Sequence, residues 1–189
     1  MKIFNSYTNK LEEFVPIKKD KVTIYVCGPT VYGYIHIGNA RPVIFFDTVR
    51  RYFEHLDYEV KFASNFTDVD DKIITKAIEL EQTEKEITDK FITAFLNDVE
   101  KVNSKTDYIK PRVTEYMDKI INYIQLLIDK GFAYQSDGDV YFRVSKVKDY
   151  GILSNRNIDD LIRLGNTYNS KNVISFTFNL TSNNSNATV

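Results

Sequence analysis

Apolar positions along this chain follow two periods, and the changes of period mark its elements. Val22-Thr23-Ile24-Tyr25-Val26 is a β-branched and aromatic run bounded by charged residues, which predicts a buried strand. Phe45, Phe46, Val49, Tyr52, Phe53 and Leu56 then recur at helical spacing. Pro42 lies near the expected helix start, where a missing N–H costs little. Within residues 58–67, Val60, Phe62 and Ser64 alternate with charged or small residues and predict a second strand. Strand, helix, strand is a βαβ unit, expected to have parallel strands and a right-handed crossover. Open sheets of this kind bind ligands at the carboxyl ends of their strands. The Cys27 end of the first strand and the Thr67 end of the second are therefore expected side by side.

The flanking segments follow the same logic. Residues 1–6 read as a short edge strand, and residues 11–16 with 18–20 as a connection. After the second strand, Ile73, Ile74, Ala77, Ile78 and Leu80 continue as a helix. Asp68, Asp70 and Asp71 precede it, and three carboxylates at a helix start cap N–H groups more readily than they catalyse. Thr83-Glu84-Lys85-Glu86 is a capping box opening a helix with Ile87, Phe91, Phe95 and Val102 on one face. Pro111 starts another helix, and Val113, Tyr116, Met117, Ile120, Ile121, Ile124, Leu127 and Ile128 form an apolar stripe read as core. Gly131 ends it as a C-cap. Asp137-Gly138, between two alternating runs, predicts a hairpin turn.

Composition changes the picture near the end. From about Leu164 onward there is no acidic residue and one Lys, and Asn, Ser and Thr dominate around Val173-Ile174-Ser175-Phe176. Such a stretch buries little surface and is expected to be disordered. The break fits a frameshift, an early stop or a short gene model. Elsewhere, 43% hydrophobic and 14% aromatic residues suffice for a packed core, and a net charge of −1 gives no global basic field for nucleic acid. No apolar run is long enough to span a membrane and no secretory leader is visible. The single cysteine, Cys27, excludes an internal disulfide and fits a reducing cytoplasm.

The candidate chemistry concentrates in residues 27–41, Cys-Gly-Pro-Thr-Val-Tyr-Gly-Tyr-Ile-His-Ile-Gly-Asn-Ala-Arg. This is a strand–loop–helix junction, where backbone N–H groups and a positive helix end attract phosphate. Gly38 permits close approach to the backbone, His36 and Asn39 carry donors for phosphate oxygens, and Arg41 adds a fixed charge. Neither a Walker loop nor G-x-G-x-x-G is present.

This string, with Asn65-Phe66-Thr67-Asp68-Val69-Asp70-Asp71-Lys72, resembles the signatures of the class I cysteinyl-tRNA synthetases. His36-Ile37-Gly38-Asn39 is similar to their "HIGH" motif, with Asn39 in the fourth place. The resemblance covers about residues 1–164. It implies an α/β fold with an incomplete, Rossmann-like (HUP-type) parallel sheet and an α+β connective-peptide insertion. On this basis residues 1–110 form a nucleotide-binding half-domain, 111–164 the insertion and 165–189 a low-complexity tail.

The reaction implied is ATP-dependent activation of cysteine, with Mg2+, followed by transfer to tRNA-Cys. His36 and Asn39 would be catalytic, His36, Gly38, Asn39 and Arg41 would bind ATP, and Cys27, Gly28 and Thr67 would bind cysteine. Cys27 matches a zinc ligand in the family, but no other zinc ligand and no lysine-rich "KMSKS" loop is found in this chain, and His55 does not replace one. One cysteine cannot hold Zn2+ by itself. The chain alone is therefore expected to be inactive, with weak ATP binding. Alternatives are a cysteine ligase of the mycothiol-synthesis type and a non-catalytic ATP-binding remnant. An adenylyltransferase of similar phosphate chemistry would need neither Cys27 nor the insertion.

Overall fold

The computed structural model describes residues 1–154 and the backbone of residues 173–176. The chain forms two compact units, Pro16–Asp118 and Met1–Val15 with Lys119–Val189. The reading of 165–189 as disordered lies outside the described residues, except at 173–176.

In the first unit, β3 (Lys21–Val26) and β4 (Glu59–Ser64) pair in parallel, from Lys21 opposite Glu59 to Val26 opposite Ser64. α1 (Ile37–His55) connects them, so the predicted parallel βαβ unit is present. A third line of backbone runs beside β4. Ile109 N donates to Phe62 O at 3.1 Å, Ser64 N to Ile109 O at 3.0 Å and Phe66 N to Pro111 O at 2.9 Å. The alternation rule misses this line because Lys110 and Pro111 interrupt it. Pro111 takes part only through its carbonyl, the one backbone group it has to offer.

α1 starts earlier than Pro42 suggests. His36 is its N-cap and Pro42 lies inside the helix, so Gly38, Asn39 and Arg41 belong to its first turns rather than to a loop. Proline at this depth removes one intrahelical bond, and the side-chain cap at His36 supports the start instead. The helix stripe is also only partly buried. Phe53 is enclosed, whereas Phe45, Tyr52 and Leu56 are exposed.

The core of this unit lies between α2 (Asp71–Leu80) and α3 (Glu84–Lys101). Ile73, Ala77, Ile87, Phe91, Phe95 and Val99 pack there with Phe66 and Val31. Each large side chain so buried stabilises by roughly 2 kcal/mol. Asp70 caps α2 by accepting from Lys72 N at 2.9 Å, and the Thr83–Glu86 capping box opens α3. Val102, expected on the buried face, is half exposed at the end of α3, and Val99 is buried in its place.

In the second unit, β1 (Lys2–Asn5) pairs antiparallel with β2 (Lys10–Glu13). The segment read as a connection is therefore partly strand, held by pairing and not by any apolar run. α4 (Val113–Asp129), which crosses into this unit, starts two residues after Pro111, and none of its residues is buried. Its stripe is therefore not a closed core among the described residues. Ile120, Ile124 and Leu127 instead line an apolar groove with Ala133, Val140 and Phe142. β5 (Ala133–Ser136) and β6 (Asp139–Arg143) form the predicted hairpin. Asp137 at φ 53° and Gly138 at φ 91° make its two-residue turn. β7 (Val173–Phe176) pairs antiparallel with β6.

Candidate functional site

The carboxyl ends of β3 and β4 meet as the sheet rule requires. Thr67 N donates to Pro29 O at 3.1 Å, and Val31 N donates to Thr67 O at 3.2 Å. Burial of Val31 and Phe66, each 2% exposed, anchors both segments in the core. Gly28 sits where the two ends cross. A Cβ there would lie 1.6 Å from the Asn65 carbonyl oxygen, so only glycine fits. Gly28 N donates to Asn65 Oδ1 at 2.9 Å, Tyr25 OH donates to the same oxygen at 2.9 Å, and Asn65 Nδ2 donates to Thr67 Oγ1 at 3.2 Å. Cys27, beside this junction, is exposed, and its thiol reaches only Gly28 O at 3.8 Å.

The amino end of α1 forms the other side. His36 Nδ1 accepts from Gly38 N at 3.1 Å. An accepting Nδ1 leaves the proton of the neutral ring on Nε2, which becomes a donor. Gly38 leaves room for the same contact, since a Cβ would stand 2.8 Å from His36 Cε1 and the ring would have to shift. The Gly38 N–H is thus taken by the imidazole. Asn39 makes no side-chain hydrogen bond and Arg41 no ion pair among the described residues.

A cavity of about 200 Å³ opens between these features, lined by Cys27, Gly28, Gly38 and Asn39 at one part and by Asp47, Arg50, Lys105 and Tyr108 at another. His36, Arg41 and Thr67 do not line it. Its polar wall is an ion network absent from the sequence expectations. Arg50 Nε donates to Glu54 at 2.9 Å, and its two Nη groups grip Asp107 at 2.9 and 3.3 Å. Lys105 Nζ donates to Glu54 at 2.6 Å and Lys105 N to Asp47 at 3.0 Å. Burial acts to raise the Glu54 carboxyl, but the Lys105 and Arg50 hydrogen bonds outweigh it and hold it below the ordinary glutamate value. The Arg50 hydrogen bonds lower Asp107 likewise, and burial pushes Tyr108 up. Sequence pattern cannot reveal pairs such as Arg50 and Asp107, 57 residues apart.

Asp68 is buried and accepts from Thr114 N at 3.1 Å and Thr114 Oγ1 at 2.6 Å. It caps the first turn of α4, not the helix it precedes. Among the described residues no three His, Cys, Asp or Glu side chains converge on a point that could hold a metal ion. Cys27 is one donor where zinc takes three or four from protein, so the described residues do not fit that ion.

Residues 13–186 match a family model described as the class I (C) tRNA synthetase catalytic domain. The chain belongs to the class I cysteinyl-tRNA synthetase family. That match runs past Leu164, where the motif-based resemblance ends. Proteins named cysteine–tRNA ligase from Listeria welshimeri and Finegoldia magna are each 57% identical to it, and one from Lysinibacillus sphaericus is 56% identical. Each alignment covers 85% of this chain, and the chain spans about a third of these relatives' length, 34–35%. Among solved structures, a LeuRS–tRNA–LeuAMS ternary complex from Agrobacterium radiobacter matches with a TM-score of 0.56 at 19% identity, over 68% of this chain and 17% of that one. A Campylobacter jejuni chain described as an arginyl-tRNA synthetase matches at 0.55 and 17%, over 70% and 40%. These likenesses show the fold: the α/β unit is an incomplete Rossmann-like domain of the class I synthetases. No helix among the described residues is long and apolar enough to cross a membrane.

Proposed function

We propose that this chain carries the ATP- and cysteine-binding corner of a cytoplasmic cysteine–tRNA ligase. The observation that carries the reading is the meeting of Cys27 and Gly28, at the end of β3, with Gly38 and Asn39, at the start of α1, around one cavity. In the activation step the cysteine carboxylate attacks the α-phosphate of ATP, the P–O bond to pyrophosphate breaks, and cysteinyl-adenylate forms. The nucleophile is already anionic, so the protein's task is positioning and stabilising charge on phosphate oxygens. His36 supplies the Nε2–H that its cap leaves over, Asn39 supplies its unengaged amide, Arg41 adds charge, and the α1 dipole stands behind them. Cys27 and Gly28 line the amino-acid side, and Thr67, outside the cavity lining, is tied beside Gly28 through Asn65. Mg2+ would accompany ATP, and tRNA-Cys would accept the cysteine. No step is assigned to zinc, because the described residues do not assemble its ligands.

The reading predicts that the 189-residue chain binds MgATP. Calorimetric titration with MgATP tests this. Binding by the wild type that falls at least tenfold in His36→Ala and in Asn39→Ala supports the reading, since each removes a donor to charged phosphate. No binding, or equal binding by the variants, overturns it. Cysteine-dependent exchange of labelled pyrophosphate into ATP above a His36→Ala control would show that this chain assembles a complete activation site.

A further inference from the structure

Asn65 makes more of the site than its place after β4 suggests. Its amide orientation is settled by the backbone, because Gly28 N can only donate and the atom facing it must be Oδ1. The same oxygen holds Tyr25 OH, which leaves Nδ2 to donate to Thr67 Oγ1. One side chain therefore ties three points: Tyr25 near the end of β3, the glycine beyond that strand and the threonine beyond β4. The contact is enforced sterically, since the Asn65 carbonyl packs against Gly28 Cα with no space for a Cβ.

The consequence for Thr67 is directional. Its hydroxyl has one proton and two lone pairs, and Asn65 occupies a lone pair. The proton is then left to donate away from Asn65. On a free amino acid the carboxylate is the group that accepts. We infer that Asn65 is a positioning residue of the amino-acid subsite, fixing the Gly28 backbone and turning the Thr67 hydroxyl outward as a donor. This rests on the proposal that Gly28 and Thr67 face cysteine.

Two substitutions separate the two ends of the amide. Asn65→Ala removes both. Asn65→Asp keeps an oxygen for Gly28 N–H and Tyr25 OH, but its second oxygen draws the Thr67 proton inward. The 189-residue chain is examined by amide hydrogen exchange at Gly28, thermal unfolding, and calorimetry with L-cysteine and with MgATP. The expected result is a loss of Gly28 protection of at least tenfold in Asn65→Ala, with protection and unfolding midpoint kept in Asn65→Asp. Both variants should bind L-cysteine at least tenfold more weakly while MgATP affinity stays within twofold. Wild-type cysteine affinity in Asn65→Asp, or unchanged Gly28 protection in Asn65→Ala, overturns the inference. If the wild type binds MgATP but no cysteine, the amino-acid reading of the site fails by itself. Gly28 exchange then still decides the clamp, supported by loss in Asn65→Ala and refuted by retention.

Discussion

At the scale of single residues, two glycines in the same loop carry opposite predictions. Gly28 has a backbone carbonyl where its Cβ would be, whereas Gly33 has nothing within 4 Å. Gly28→Ala must push the ends of β3 and β4 apart and should cost about 3 kcal/mol or more in urea unfolding. Gly33→Ala should change stability by less than about 0.5 kcal/mol. Equal effects would mean the strand ends are not in contact as described. Gly38 falls between them, because its obstacle is the His36 ring and not backbone. Gly38→Ala should displace the imidazole and release the cap, at a cost of about 1 kcal/mol. The motif made His36, Gly38 and Asn39 visible as a phosphate-type sequence. That Gly38 serves His36 before any ligand could not be read from spacing, because it depends on how the ring folds back on the first turn.

Elements were legible where a local rule decides them and illegible where pairing does. β3, β4 and the β5–β6 hairpin follow from apolar runs and Asp-Gly turn chemistry. β2, Lys10-Leu11-Glu12-Glu13, has no apolar run and becomes a strand by pairing with β1. Pro42 misplaced the start of α1 because proline favours a first turn, while the capping imidazole at His36 is a rarer device. The stripe on α4 showed which face seeks burial but not what covers it. The capping box on α3 is local and was legible; Thr83 bonds Glu86 N at 3.2 Å and Glu86 bonds Thr83 N at 2.9 Å. Thr83→Ala should therefore destabilise by about 1 kcal/mol. Phe66→Ala should cost about 3–5 kcal/mol, since the ring is buried against Phe95 at 5.5 Å between centroids. A thermal melt in which Phe66→Ala costs no more than Thr83→Ala would show that the α2–α3 core does not hold the site loop.

At the scale of the molecule, a net charge of −1 hides a concentration of charge in one place. Arg50, Arg51 and Lys105 face Asp47, Glu54 and Asp107, and together they tie α1 to residues 103–107. Arg50 is buried while Asp107 is 73% exposed at its side chain, so solvent weakens that arm and Glu54 is the stronger one. Glu54 and Asp107 both have folded values below the ordinary carboxylate range. A carboxylate lowered by folding adds stability above its unfolded value, and that stability is lost as pH falls through the folded value. The folded chain should thus keep its full stability at neutral pH and lose it progressively below about pH 4.5. Arg50→Met should remove about 2 kcal/mol at neutral pH, because Glu54 keeps Lys105 and Asp107 is already largely in water. It should also flatten the acid limb, since the two carboxylates then titrate closer to their unfolded values. Urea unfolding of both proteins between pH 3 and pH 7 checks this. Parallel curves, offset by a constant, would mean that acid stability is set elsewhere and that the network serves only to hold the cavity wall.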